Sequence, residues 1–235
     1  MNIAGLQKMT LLDFPGRVAC TVFLGGCNFI CPYCHNSELL ESDCPSLMTD
    51  GELLAFLAKR RGLLEGVCIT GGEPTLHPDL PNLLRAVKDL GYAIKLDTNG
   101  TRPALLRHLV EDGLVDYVAM DVKSSPGGYP AAAGLDLICL DDLEESLRFL
   151  LEGHVDYELR TTVVAQLHNE QSIREMAQWL SGLVPGKKAA KFFLQPFVDR
   201  DTVPFEGLSA PETDVLEGWI ALLSPCAEQV HLRGV

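Results

Sequence analysis

Apolar residues along the chain fall into two alternating patterns. Short runs rich in Val, Ile and Leu, at 18–24, 66–70, 92–96, 115–120, 157–164 and 190–194, are bounded by Gly, Pro, Asp or Asn and predict strands. Between them, longer segments with helical spacing predict helices over 81–90, 103–111, 141–151, 169–183 and 211–223, and Pro103 stands where a first helical turn tolerates it. Thr49-Asp-Gly-Glu52 makes a capping box for a further helix, with Leu53, Leu54, Phe56 and Leu57 on its buried side. Residues 124–137, rich in Gly, Pro and Ala, form the longest irregular piece, and 229–232 predicts a short terminal strand. Residues 1–17 are a turn-rich lead-in carrying Thr10-Leu-Leu-Asp13-Phe14-Pro15-Gly16, whose plain structural reading is a hairpin over the sheet edge.

Six strands alternating with helices define an α/β chain with a parallel sheet and helices outside. The count is two short of a closed eightfold barrel, so an open, partial (β/α)6 barrel of the TIM type is expected. One domain is expected over 1–235, with a lead-in at 1–17, a barrel core at 18–197, and a C-terminal helix and short strand at 198–235.

Composition narrows the setting. The 235 residues are 47% apolar, enough for one sizeable core. No apolar run approaches a membrane span and residues 1–16 lack a signal-peptide pattern, so a cytoplasmic protein without a membrane partner is expected. With 19 Lys and Arg against 32 Asp and Glu, the formal charge is −13, which weighs against a nucleic-acid substrate. The longest basic run, Lys59-Arg60-Arg61, is the candidate dock for an acidic partner.

Candidate chemistry centres on Cys27-x3-Cys31-x2-Cys34, directly after an apolar run that ends in Gly25-Gly26. A disulfide framework does not suit three clustered thiols in a chain without a secretory signal. Zinc would need a fourth ligand; the sequence has no second Cys or His pair, and His35 is adjacent to Cys34, which makes tetrahedral closure awkward but not impossible. A four-iron cluster on three thiolates leaves one iron open to a substrate or cofactor. Of the other cysteines, Cys20, Cys68, Cys139 and Cys226 lie in apolar contexts and read as small core residues, whereas Cys44 sits in a polar loop. His77, His108, His154, His168 and His231 stand alone and read as surface or core residues.

The spacing, with the aromatic Tyr33 before the last cysteine, resembles the signature of the radical S-adenosylmethionine (radical SAM) enzymes. The resemblance runs from Thr10 to about Phe197 and is closest to the activases of glycyl radical enzymes, in particular those of anaerobic ribonucleoside-triphosphate reductase; His35-Asn36 and the Asp13-Phe14-Pro15-Gly16 lead-in belong to that likeness. It implies that Cys27, Cys31 and Cys34 hold a [4Fe-4S] cluster whose open iron chelates S-adenosylmethionine. It also implies that one electron, from a flavodoxin or ferredoxin, yields a 5′-deoxyadenosyl radical that takes hydrogen from a glycine of the partner enzyme.

By the same resemblance Gly71, Gly72 and Glu73 hold the methionyl amine, Lys123 meets the cofactor carboxylate or ribose, and Asp97 and Asp121 could bind a monovalent cation. Tyr33, Thr98, Asn99, Arg160 and Gln195 complete the expected cofactor site. All of these residues stand in the cysteine loop or at carboxyl ends of predicted strands, the rim where parallel α/β folds bind ligands. An activase of a pyruvate formate-lyase type enzyme, or a small-molecule radical SAM enzyme such as a deazapurine synthase using 124–137 to bind substrate, are the alternatives.

Overall fold

All six predicted barrel strands form, the terminal strand expected at 229–232 joins one edge of the sheet, and the lead-in adds a further strand at the other. In the computed structural model, which describes residues 1–234, the strands are β1 (Ile3–Thr10), β2 (Ala19–Leu24), β3 (Gly66–Gly71), β4 (Ala93–Thr98), β5 (Tyr117–Asp121), β6 (Asp156–Val163), β7 (Ala189–Pro196) and β8 (Ala227–Leu232). They lie side by side in sequence order. β1 runs antiparallel to β2, and every later pair is parallel. β1 and β8 are not paired to each other, so the sheet stays open.

The helices are α1 (Asp50–Ala58), α2 (Leu80–Asp89), α3 (Pro103–Glu111), α4 (Tyr129–Ala133), α5 (Leu140–Glu152), α6 (Glu170–Leu183) and α7 (Thr213–Leu223). The capping box of α1 is made as the sequence predicts, with the Thr49 amide donating to Glu52 Oε2 at 2.8 Å and the Glu52 amide to Thr49 Oγ1 at 3.3 Å. Segment 124–137 is not wholly irregular. It contains α4, which ends at Gly134 in the left-handed region, φ 70°.

Each central strand has two buried faces of different character. Ile94 and Leu96 alternate with Lys95 and Asp97 on β4, and Leu159 alternates with Glu158 and Arg160 on β6. The apolar faces join Leu84 and Val87 of α2 and Leu143, Leu147 and Leu150 of α5 in the main core, where each fully buried side chain contributes roughly 1.5–3 kcal/mol. The other faces point into the barrel and carry charge. No helix among the described residues is long and apolar enough to cross a membrane.

The sheet's curvature shows in the lead-in. Phe14, 3% exposed, packs with Ala19 and against the ring of Tyr117 on β5, centroids 6.2 Å apart. A Cβ on Gly66 at the start of β3 would stand 2.7 Å from Phe14 Cδ1, so the glycine makes room for the ring. Asp13 accepts from the Thr21 hydroxyl of β2. The Asp-Phe-Pro-Gly motif is therefore an aromatic plug at the amino-terminal mouth of the barrel, far from the carboxyl ends of the strands.

Candidate functional site

The carboxyl ends of β3 to β6 and the loop after β2 surround a cleft of about 200 Å³. It is lined by Cys27, Cys31, Tyr33 and Cys34, by Gly71 to Glu73, by Asp97 to Asn99, and by Asp121, Lys123 and Arg160. Every site residue expected from the sequence is brought there except Gln195, which lies on β7 beside Thr162 of β6. Thr162 lines the cleft, as do Phe29 and Thr70, none of which the sequence singled out.

The cysteine loop is held at its base, middle and end. The amides of Gly26 and Cys27 donate to the carbonyls of Leu39 and Leu40 at 2.7 and 3.0 Å, and the amide of Ile30 donates to Ala133 at 2.9 Å. Phe29 meets Tyr129 of α4 edge-on, centroids 6.5 Å apart. At the far end, His35 stacks on Phe197 and its Nε2 donates to the Val198 carbonyl at 2.7 Å, while Thr202 Oγ1 donates to the His35 carbonyl at 2.7 Å. The chain leaving β7 is thus strapped across the loop that follows β2, and His35 serves as the buckle.

All three loop cysteines are free thiols sharing one cleft. Burial pushes Cys27 up to about 12 and raises Cys31 and Cys34 as well, so ionisation awaits a metal, and metal binding would release protons. Among the described residues no group of three His, Cys, Asp or Glu side chains is arranged for a single metal ion. Three soft thiolates spread around a cavity suit a cluster of several irons better than one zinc. The Tyr33 hydroxyl, buried at the cleft without a hydrogen-bond partner among the described residues, is a further sign that a polar group belongs there. The residues fit a [4Fe-4S] cluster.

The other cysteines divide differently from expectation. Cys20, Cys68 and Cys226 are buried, but Cys139, at the N-cap of α5, is exposed. Cys44, despite its polar sequence context, is buried, and its Sγ accepts from Asn2 Nδ2 at 3.4 Å.

Glu73, 1% exposed, ties two strand ends together. Its Oε1 accepts from the Thr75 amide at 3.0 Å, from the Thr75 hydroxyl and from the Thr98 hydroxyl at 2.8 Å; Oε2 accepts from the Asn99 amide at 2.6 Å. Burial raises its pKa against the pull of these bonds. Oε2 keeps capacity for one more donor.

The two glycines before Glu73 are there for space. A Cβ on Gly72 would lie 2.1 Å from the Gly26 carbonyl oxygen, and one on Gly71, at φ 121°, 2.3 Å from Leu24 backbone atoms. Gly72→Ala is therefore expected to push the base of the cysteine loop aside, destabilising the fold by about 1–3 kcal/mol and lowering iron bound per chain on reconstitution. Thermal unfolding and iron analysis check it; unchanged values in both would refute the close-approach argument.

Beyond Glu73 the cleft wall is ionic. Arg160 donates from Nη1 to Asp97 Oδ2 at 3.2 Å and from Nε to Asp121 Oδ1 at 3.0 Å, and Lys123 Nζ reaches Asp121 Oδ2 at 2.9 Å. Burial would raise the pKa of Asp121, but Arg160 and Lys123 hold it down to about 2; Asp97 is lowered likewise, by Arg160 and Lys95 against burial. The guanidinium supplies positive charge between the two carboxylates on which a monovalent cation was expected. His168, 3% exposed, fixes the backbone here: its Nε2 donates to the Lys123 carbonyl at 2.9 Å and its Nδ1 accepts from the Val164 amide at 3.1 Å. Burial lowers its pKa, which favours the neutral ring that this pairing needs. A lone histidine in sequence gave no sign of that task.

Residues 21–180 match the radical SAM superfamily. The chain belongs to this superfamily. Radical SAM enzymes use a [4Fe-4S] cluster and S-adenosylmethionine, and the three thiols and the cleft beside them are the parts such cofactors need. A relative from Methanocaldococcus jannaschii, provisionally named as a glycyl-radical enzyme activating enzyme, is 30% identical over 99% of this chain and 96% of its own. The pyruvate formate-lyase-activating enzyme of Clostridium pasteurianum is 27% identical over 77% of each chain. A 7-carboxy-7-deazaguanine synthase of Neisseria meningitidis is 32% identical over 60% of this chain and 57% of its own. Likeness of fold alone extends to Streptococcus suis SuiB bound to its precursor peptide SuiA, with TM-score 0.66 and 15% identity over 91% of this chain and 48% of that one. It extends also to a domain of a pyruvate-formate lyase-activating enzyme from Bacteroides vulgatus, with TM-score 0.57 and 20% identity over 72% of this chain and 99% of that one.

Proposed function

We propose that this radical SAM enzyme is an activase that installs a glycyl radical in a partner protein, and that the partner is anaerobic ribonucleoside-triphosphate reductase. One observation carries the first half. Residues 124–137, the segment a small-molecule enzyme of this chain would use to bind its substrate, line no part of the cleft; α4 and Gly134 instead support the cysteine loop from outside. A Cβ on Gly134 would fall 1.9 Å from the Ile30 carbonyl oxygen.

The mouth of the cleft therefore faces a target that stays mostly outside. Exposed apolar side chains suited to a protein surface stand on the rim loops: Ile30, Leu137, Val198 and Phe205. The end-to-end correspondence with the M. jannaschii relative supports the same reading over that of a deazaguanine synthase. The resemblance of the lead-in to reductase activases supports the choice of partner, although Asp13 and Phe14 themselves act as a floor plug, not a recognition surface.

When bound, the reduced cluster supplies the electron that breaks the cofactor's sulfonium bond, and with it the radical that takes a hydrogen atom from the partner's glycine. The chain's own work is to bind, orient and shield. Cys27, Cys31 and Cys34 would hold the cluster; the backbone at Gly71 and Gly72, with Glu73 behind it, would receive the amine; Lys123 would offer its ammonium to the carboxylate. The electron donor, a flavodoxin or ferredoxin, must approach the rim without help from Lys59-Arg60-Arg61, because that run precedes β3 at the opposite end of the barrel.

The test is electron paramagnetic resonance after anaerobic incubation of cluster-loaded protein, reductant, S-adenosylmethionine and the reductase. A glycine-centred doublet that needs the whole mixture is the expected result. Cofactor cleavage without the doublet, for this reductase but not for a formate-lyase type enzyme, would move the partner; no doublet with any glycyl radical enzyme would end the activase reading.

A further inference from the structure

Lys95 takes no part in the cleft lining, yet its side chain is only 2% exposed. It sits in the middle of β4, two residues before Asp97 and so on the same, inward face. An ammonium group buried this far is costly unless it is well paired, and a Met or Leu would fill the position without that cost. Its partners are the Asp97 carboxylate, bound through Oδ1, and the Cys68 sulfur at 3.9 Å.

Those contacts make Lys95 one end of a line of alternating charges. Asp97 Oδ1 takes Lys95 and Oδ2 takes Arg160; Asp121 Oδ1 takes Arg160 and Oδ2 takes Lys123. Three cations and two anions leave one positive charge in excess. Asp97, Arg160, Asp121 and Lys123 face the cleft, and Lys95 is buried behind them. Arg160 is shared by two carboxylates, so its pose depends on how strongly each one pulls.

We propose that Lys95 is a positioning residue for the cofactor carboxylate. Its ammonium satisfies one oxygen of Asp97, which keeps that carboxylate from drawing Arg160 wholly to itself. Arg160 then stays on Asp121, and Asp121 leaves part of the Lys123 ammonium free for an anionic group in the cleft. Without Lys95, Asp97 takes the guanidinium, Asp121 takes Lys123, and the network loses both its excess charge and its outward-facing donor. The argument rests on the reading that S-adenosylmethionine occupies the cleft with its carboxylate toward Lys123.

Calorimetric titration of the cluster-loaded protein tests it, with S-adenosylmethionine and with 5′-methylthioadenosine, a thioether that keeps the nucleoside but lacks the amino-acid end. Lys95→Met is expected to weaken S-adenosylmethionine binding about tenfold, leave methylthioadenosine binding within about twofold, and keep the wild-type iron content. Adding Asp97→Asn, which removes the competing carboxylate, is expected to recover most of the loss. Equal losses for both ligands, undiminished S-adenosylmethionine affinity in Lys95→Met, or no recovery in the double variant would each overturn the proposal. Should Lys95→Met fail to fold, Lys95→Gln takes its place in the same comparison, the outcomes read alike. Failure of the wild-type protein to bind S-adenosylmethionine would instead strike the reading beneath.

Discussion

Alanine at Cys31 is expected to reduce S-adenosylmethionine cleavage to background while the metal-free chain keeps its fold. The residue is 6% exposed and lines the cleft with Cys27 and Cys34. Its loss leaves two thiolates for a cluster that needs three, with no other Cys in the cleft lining to replace it. The loop itself does not depend on the sulfur, since it is tied down through Gly26, Cys27, Ile30 and His35. Cys44→Ala is the matched control: that sulfur packs against Asn2 and Gly25, and iron content should be unchanged. Iron and sulfide per chain, cofactor cleavage and a circular-dichroism melt of the apo protein decide the matter. Sustained cleavage in Cys31→Ala, or iron lost from Cys44→Ala, would mean that other thiols are the ligands.

Arg160→Leu should produce the largest loss of stability, about 3 kcal/mol, because it removes a charge-assisted hydrogen bond from each of two half-buried carboxylates. Asp97 would keep Lys95 and Asp121 would keep Lys123, so each carboxylate retains one cation and the chain still folds. The effect has a defined pH dependence. Asp121 titrates at about 2 in the folded protein, below the ~3.9 of an unfolded Asp, so its contribution is complete above that unfolded value and is lost as pH falls toward 2. The variant, whose carboxylates are less depressed, has less to lose. The gap between wild type and Arg160→Leu in urea unfolding should therefore be widest near neutral pH and narrow below about pH 4. A gap that stays constant to pH 3 would show that the arginine acts by packing and not by charge.

Much of the site could be read from the chain because spacing and position carry it. Cys27, Cys31 and Cys34 declare themselves by their intervals, and the polar groups after each strand fall on the rim once the strands are placed. The edge strand β1 was harder. Its burial runs from Ile3 through five partly or wholly exposed positions before the exposed Met9 and buried Thr10, so no two-residue alternation marks it.

Lys95 was hidden for a related reason. In Ala93-Ile94-Lys95-Leu96 a single lysine looks like a solvent-facing position, because alternation separates two faces of a strand without saying whether the second meets water or a polar barrel interior. The Asp13-Phe14-Pro15-Gly16 lead-in shows a different limit. A motif that resembles a subgroup need not touch that subgroup's partner, and here its aromatic ring fills the barrel floor.

That floor sets a direction for everything made above it. With Phe14 against Tyr117, and the Tyr117 hydroxyl on a Glu158 that is itself clasped by Arg233, no straight bore drains the barrel downward. A short-lived species born beneath the cysteine loop has the packed floor below it and the rim opening above. If the target is a partner protein, as proposed, whether that species reaches it or is quenched is decided by how closely the visitor seals the upper opening, and a loose fit there would show as cofactor consumed without product.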